Sequence, residues 1–261
     1  MLLSIDVGNS QIFGGVFEGE ELRATFRRTS NIRASSDEFG TFFRMVLREN
    51  GVDPAAIGAA AICSVVPDVV HSLRNAFRKY FRFEPFVLQP GVKTGLKIRY
   101  RNPLEVGADK IANAIGAAAR YPGRNLLIID LGTATTLCAV TRDKEYLGGI
   151  IAPGIHMSMA ALESNTARLP AVEIIRPAEV LGRSTIESIQ AGLYYGTLAT
   201  IRAFVEAVTA EHFVEDHPVV IGTGGFARLF EEERIFDALI PELSLLGLRR
   251  AVDLAGKGGT G

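Results

Sequence analysis

Two short stretches limit what this chain can fold into more than any other feature. Leu2–Ser10 reads LLSIDVGNS and Leu126–Thr136 reads LLIIDLGTATT. In each, an apolar run meets an Asp, then an apolar residue, a Gly and a small polar residue. That order describes a buried strand ending in an acidic side chain, followed at once by a tight turn into a second strand. Asp6 and Asp130 stand about half a chain length apart, so the sequence predicts two related halves, each opening on the same turn.

The chemistry of the turn explains why two copies matter. Gly8 and Gly132 allow close backbone approach to a ligand, with their N–H groups expected to be free to face it. Asn9, Ser10, Thr133 and Thr136 add short donors. An aspartate beside them repels a bare phosphate but holds a cation, or the water shell of Mg²⁺, that neutralises one. A single Asp-x-Gly turn is ordinarily only a turn. Two, matched in position, describe a clamp for a polyphosphate and its metal.

The bulk numbers exclude several classes. At 261 residues the chain is long enough for two medium domains with a sizeable core. Its 48% hydrophobic and 22% charged content is that of a globular protein. A net charge of −1 and the lack of a basic block beyond pairs such as Arg27-Arg28 predict no nucleic-acid partner. The first apolar run is broken by Asp6 and lacks a basic lead, so no signal peptide is expected, and no apolar run reaches membrane-span length. Cys63 and Cys138 lie in apolar strand-like runs and read as buried free thiols, consistent with a cytoplasmic location.

In order, Gln11–Phe17 and Leu22–Arg28 read as strands around the turn Glu18-Gly19-Glu20. Ser35-x-x-Glu38 is a capping box opening a helix to about Asn50. A strand over Ile57–Val66, a helix from Asp68 to about Phe81 and a strand over Pro85–Leu88 complete a mixed sheet flanked by helices. A basic loop, Gln89–Pro103, leads to a helix predicted over Leu104–Tyr121. Its Ala112, Ala114, Gly116, Ala117, Ala118 and Ala119 permit very close packing. The second half repeats the plan with strands at 125–131, 135–141 and 145–151, helices at about 155–164 and 185–210, a strand over Pro218–Ile221, the glycine turn Gly222–Gly225 and a short helix. The expected domains are 1–120 and 121–255, with 256–261 a flexible tail and a cleft between the halves.

At this level of detail the chain resembles the type III pantothenate kinases of the sugar kinase, Hsp70 and actin superfamily. The resemblance spans nearly the whole chain and rests on DVGNS at 6–10, YRNPLEVGADK at 100–110, DLGTATT at 130–136, GGIIAPG at 148–154 and STIESIQAG at 184–192. The Tyr…Asn-Pro…Gly-Ala-Asp block is the specific one, because Asp-x-Gly turns occur across the superfamily. The fold implied is α/β: duplicated ribonuclease H-like (actin-like ATPase) domains, each a mixed five-stranded sheet flanked by helices. The activity implied is ATP-dependent phosphorylation of the primary hydroxyl of pantothenate, the first step of coenzyme A synthesis, by a cytoplasmic homodimer.

The same resemblance assigns roles. Asp109 is the implied catalytic base. Asp6, Val7, Gly8, Asn9, Ser10, Gln11, Ile12 and Phe13, with Gly132 and Thr133, are implied in ATP binding. Asp6 is placed near Mg²⁺, directly or through water, and Asp130 at a monovalent cation, K⁺ or NH₄⁺. Tyr100, Gly107, Ala108, Asp109, Lys110 and Thr185 are implied at pantothenate, Thr185 from a second subunit, with Gly222–Gly225 beside the adenosine. Taken alone, Asp109 would be an acidic residue at a helix N-terminus, Tyr100 a core aromatic and Thr185 an N-cap.

Gly222-x-Gly224-x-x-Ala227 after an apolar strand also fits a dinucleotide fingerprint, but too little chain follows for a Rossmann half. The four histidines show no metal-ligand spacing. Lys110 stands where most relatives carry Arg, and a point charge grips a carboxylate differently from a guanidinium fork. The competing readings are another small-molecule hydroxyl kinase of the superfamily, and a non-catalytic transcriptional accessory factor.

Overall fold

The computed structural model describes residues 1–31, 33–89 and 91–257. The chain forms two compact units, the first of residues 1–96, 100–120 and the chain from Leu243, the second of residues 97–99 and 121–242.

The first unit opens with β1 (Leu2–Val7), β2 (Gln11–Glu18) and β3 (Glu21–Thr29), followed by α1 (Ser36–Glu49), β4 (Ala59–Ser64), α2 (Pro67–Tyr80), β5 (Phe86–Val87) and α3 (Ala108–Arg120). Its sheet has the order β3-β2-β1-β4-β5, with β1 antiparallel to β2 and parallel to β4. The two-residue alternation of β1 divides it between two layers. Leu3, Ile5 and Val7 pack with Phe39, Phe43, Val69, Leu73 and Phe77 of α1 and α2. Ser4 and Asp6 therefore point to the opposite face. The capping box is present: the Glu38 N–H donates to Ser35 Oγ and the Ser35 N–H to the Glu38 carboxylate. In α2, Pro67 occupies the first turn, where its missing N–H costs no helix bond.

The helix expected over Leu104–Tyr121 is interrupted. Asn102 caps a single 3₁₀ turn, Pro103–Glu105, by accepting from the Leu104 N–H at 3.2 Å. Val106 then turns extended (φ −72°, ψ 120°) and buries its side chain, so α3 begins afresh at Ala108.

The second unit holds β6 (Lys97–Ile98), β7 (Leu126–Leu131), β8 (Ala134–Val140), β9 (Glu145–Pro153), α4 (Ile155–Ser164), α5 (Thr185–His212), β10 (Val219–Thr223) and β11 (Ala238–Leu239). Its sheet order is β11-β10-β7-β8-β9-β6. Without β6 this is the order of the first sheet, strand for strand. The expected five strands become six because β6, inside the predicted basic loop, pairs parallel with β9.

One helix was absent from the sequence reading. Helix α6 (Leu243–Lys257) belongs to the first unit and lies against α3, so the second unit ends at Glu242 rather than at 255. The small residues of α3 exist for this contact. A Cβ on Gly116 would lie 2.5 Å from the Leu243 carbonyl oxygen, and one on Gly247 only 1.8 Å from that of Ala112. Gly256 and Lys257 of the expected tail continue α6, and 258–261 lie outside the described residues.

Candidate active site

In the first unit the site is organised around Asp6, the last polar residue of β1 before the turn. Asp6 is in register with Cys63 on β4, which puts both side chains on one face. The Cys63 thiol donates to Asp6 Oδ1 at 3.3 Å, and Ser244 at the start of α6 gives a second side-chain hydrogen bond. The carboxylate is half-buried, and desolvation raises its pKa above the ordinary aspartate value, reinforced by the charge of Asp109. Burial also pushes the Cys63 thiol well up, helped by the neighbouring Asp6 charge, so it stays a neutral donor.

Asp109 occupies the first turn of α3. Its Oδ1 is buried without a hydrogen-bond partner, while Oδ2 lies 3.5 Å from Lys110 Nζ. Gly107 leaves room for this carboxylate, since a Cβ at that position would stand 2.4 Å from Oδ1 and push the Asp109 side chain aside. Buried carboxylate oxygens are normally satisfied. An orphan acceptor at a helix N-terminus is suited to take a hydrogen bond from an incoming hydroxyl.

The turn after β1 differs from expectation in one respect. The Gly8 N–H donates to the Gln11 carbonyl at 2.9 Å and the Gly132 N–H to that of Ala134 at 3.2 Å. Both glycine N–H groups therefore close their own turns instead of facing a ligand. Val7 and Ile12 bury their side chains in the core with α1 and α2, leaving only backbone for any ligand. Asn9, Ser10 and Gln11 are exposed, and Phe13 is buried on the Asp6 face beside Phe17 and Leu245.

The second unit repeats this arrangement around Asp130. It is in register with Thr136 on β8 and Thr223 on β10, as Asp6 is with Phe13 and Cys63. Glycines crowd its carboxylate: a Cβ on Gly224 (φ +89°) would lie 2.4 Å from Oδ1, and one on Gly132 3.4 Å away. The Gly222–Gly225 segment is pinned beside it by the Phe226 N–H, which donates to the Leu131 carbonyl at 3.0 Å. Gly154 ahead of α4 touches the Gly132 and Thr133 carbonyls so closely that any Cβ would overlap them. Thr133 is exposed and Thr136 buried. Of the two glycines that resembled a dinucleotide fingerprint, Gly224 thus walls the Asp130 carboxylate, while Gly222 lies against Phe236 and Leu239.

Ser184, not Thr185, caps α5, its hydroxyl accepting from the Glu187 N–H at 3.2 Å. Thr185 is exposed in the first turn, on a groove of about 1350 Å³ between α4 and α5. Tyr100 is half-buried, and Ala108 is buried. Sequence reasoning missed Cys63 and Ser244 as partners of Asp6. Only a strand register reveals the first, and the second sits on the overlooked helix.

The sequence model of the type III pantothenate kinases matches residues 2–207. The chain belongs to the type III pantothenate kinase family. A type III pantothenate kinase of Legionella pneumophila (strain Paris) is 54% identical over 251 residues, covering 96% of this chain and 98% of that protein. Among solved structures, one described as a conserved putative Baf family transcriptional activator from Campylobacter jejuni aligns with a TM-score of 0.62 at 17% identity, covering 98% of this chain and 99% of that one. A putative 2-dehydro-3-deoxygalactonokinase from Sinorhizobium meliloti aligns at 0.57 and 12% identity, covering 100% and 97%. At such identities the two structures show the fold alone: two mixed sheets flanked by helices, in the actin-like ATPase and sugar kinase architecture. Neither the cysteines nor the histidines of this family member form a metal cluster among the described residues, and both cysteines are buried and free. No helix among the described residues is long and apolar enough to cross a membrane.

Proposed function

We propose that this chain phosphorylates pantothenate with ATP, giving 4′-phosphopantothenate and ADP, the first step of coenzyme A synthesis. The observation that carries the reading is the Asp109 carboxylate, with one oxygen buried and unpartnered in a chain matched by the family over residues 2–207. Asp109 is the general base. As the pantothenate hydroxyl oxygen bonds to the γ-phosphorus, its proton passes to Asp109 Oδ1 and the bond to the bridging oxygen of ADP breaks. Lys110, paired with the other Asp109 oxygen, lies in reach of an acidic acceptor, while Tyr100 and Gly107–Ala108 shape the acceptor pocket.

The residues from Asp6 to Phe13 receive the phosphates of ATP in the first unit, and Gly132 and Thr133 contact it in the second. Mg²⁺ would neutralise phosphate charge and polarise the γ-phosphoryl group. Asp6 fits it as an outer partner through water, because too few carboxylates gather there for an all-protein site. The Asp130 cradle, a carboxylate walled by glycines with backbone carbonyls nearby, suits a hard monovalent cation such as K⁺ or NH₄⁺.

Homodimerisation and a cytoplasmic place belong to the same reading. The groove between α4 and α5 carries exposed Met157 and Leu162, and exposed Leu181 and Ile186 adjoin its lining residues Gly182 and Thr185 in sequence, which favours a covering partner that would bring Thr185 toward a neighbouring acceptor site. A coupled assay with ATP, Mg²⁺, K⁺ and pantothenate tests the reading. Turnover is expected with pantothenate and is expected to fall when K⁺ is replaced by a bulky organic cation. Turnover of a different hydroxylated acceptor in its place would assign another kinase of the superfamily, and no phosphotransfer at all would favour the accessory-factor alternative.

A further inference from the structure

One row of side chains crosses the first sheet on the Asp6 face. The registers Asp6↔Cys63, Asp6↔Phe13 and Phe13↔Arg27 place Cys63, Asp6, Phe13 and Arg27 side by side on β4, β1, β2 and β3. The Arg27 guanidinium lies over the Phe13 ring, 3.8 Å from its centroid. Phe13 is buried and Arg27 exposed, so the ring acts as a platform and the cation stays open to solvent. The positive charge of Arg27 also reaches Asp6, where it opposes the desolvation of that carboxylate.

The other cations of this region are engaged. Arg23 pairs with Glu18 and Glu21, Lys110 with Asp109, and Arg28 lies over Phe39 and Phe42 on the opposite face of the sheet. Among the described residues Arg27 has no carboxylate at ion-pair distance. Its guanidinium is already ordered on the ring, so less side-chain entropy is lost when an anion takes its fork of donors.

We infer that Arg27, held over the Phe13 ring, binds the phosphates of the nucleotide received by the turn between Asp6 and Phe13. The inference rests on the phosphotransfer reading above and extends it to a residue that the sequence motifs pass over. Asp6 alone repels the triphosphate. Arg27, two strands away along the same row, supplies the compensating charge and a planar pair of N–H donors suited to phosphate oxygens. The rival account is an edge strand made soluble by an arginine, for which any polar side chain would serve.

Calorimetric titration of the purified protein with Mg·ATP and with AMP separates the two. Arg27→Gln is expected to weaken Mg·ATP binding about 10- to 100-fold, the usual range for losing a charge-assisted hydrogen bond, and to change AMP binding less than about threefold. Arg27→Lys keeps the charge without the fork and is expected to lie between. Phe13→Leu, which removes the platform but keeps an apolar side chain, is expected to weaken Mg·ATP more than AMP. Unchanged Mg·ATP affinity in Arg27→Gln, or equal losses for ATP and AMP, would overturn the inference while leaving the pantothenate kinase reading in place. A wild-type protein that binds Mg·ATP yet leaves pantothenate unphosphorylated would overturn the acceptor assignment instead, with the Arg27 comparison still decisive. A wild-type protein that binds no Mg·ATP overturns both.

Discussion

At the scale of single residues, two carboxylates in the first unit are held in different ways, and their neighbours explain the difference. Asp109 keeps one oxygen without a donor, whereas Asp6 accepts from Cys63 and Ser244. Asp109→Asn preserves shape but removes the proposed proton acceptor. Turnover is expected to fall by about 10²–10⁴-fold with Mg·ATP affinity little changed, as steady-state kinetics beside calorimetry would show. Asp6 carries a stability signature as well. Burial raises its pKa in the folded chain above the unfolded value, so the folded state holds the proton more tightly. Its favourable contribution is present below the unfolded pKa and is lost as pH rises through the folded one, leaving a destabilising buried charge at neutral pH. Asp6→Asn keeps an acceptor for the thiol and hydroxyl while removing that charge. Its ligand-free melting temperature is expected to exceed that of the wild type at pH 8, with the gain shrinking toward pH 4, while phosphotransfer falls. A melting series across that range without nucleotide checks the sign. The opposite order at pH 8 would mean that the charged form is the better-tolerated one.

At the scale of elements, the contact between α3 and α6 decides how the Asp6 face is built. The backbones approach so closely at Gly116 and Gly247 that neither tolerates a side chain. Gly247→Val drives methyl groups into the Ala112 carbonyl, and the helices must separate. Overpacking of this kind costs about 1–3 kcal/mol, and displacing backbone places the cost toward the upper end. The apparent melting temperature is expected to drop by several degrees, at about 2–4 °C per kcal/mol for a chain of this size. Because Ser244 rides on the same helix and bonds Asp6, the variant is also expected to weaken Mg·ATP binding. A variant with wild-type melting and nucleotide affinity would show that the glycine serves neither purpose. The pairing of α3 with α6 also redirects an inference from composition. A helix rich in Ala and Gly suggests a surface for a second subunit, yet in this chain its small residues meet another helix of the same unit.

At the scale of the whole molecule, the apolar surface that suits the proposed partner is on the second unit, along α4 and α5. Leu181 is 81% exposed and Val180 69%, in the segment that leads into Thr185, and such large apolar side chains grouped beside a groove are unusual on a monomer's exterior. Light scattering at micromolar concentration is expected to give twice the monomer mass. Leu162→Glu with Ile186→Glu, both exposed, is expected to give monomers with little change in melting of the chain itself and with weakened pantothenate turnover, as befits a Thr185 contribution from the partner. A fully active monomer would remove the dimer and the shared acceptor site together.

What the sequence by itself determined was local or repetitive. The doubled Asp-x-Gly turn, the strand after each turn and the Ser35–Glu38 capping box all follow from periodicity and turn chemistry within about ten residues. The repeat then implied a second sheet wound like the first, and β3-β2-β1-β4-β5 against β9-β8-β7-β10-β11 bears that out. The place of Asp109 near a helix N-terminus was legible for a different reason, as part of a motif whose residues lie together in sequence, while its catalytic role remains the proposal made above. The tertiary structure alone decided the rest, because the deciding contacts join residues far apart in the chain. Cys63 meets Asp6 across 57 positions only through the parallel register of β4 on β1. Helix α6 belongs to the first unit because Gly116 and Gly247 let two backbones touch, although the helix follows the last strand of the second sheet in sequence. The pair Lys97–Ile98 is too short to announce a strand and becomes one only by finding an open edge on β9. Arg27 reads as one charge in a basic pair until two strands align and lay it on the Phe13 ring. Local preference acts through neighbours in sequence, whereas the electrostatics of a site are set by neighbours in space.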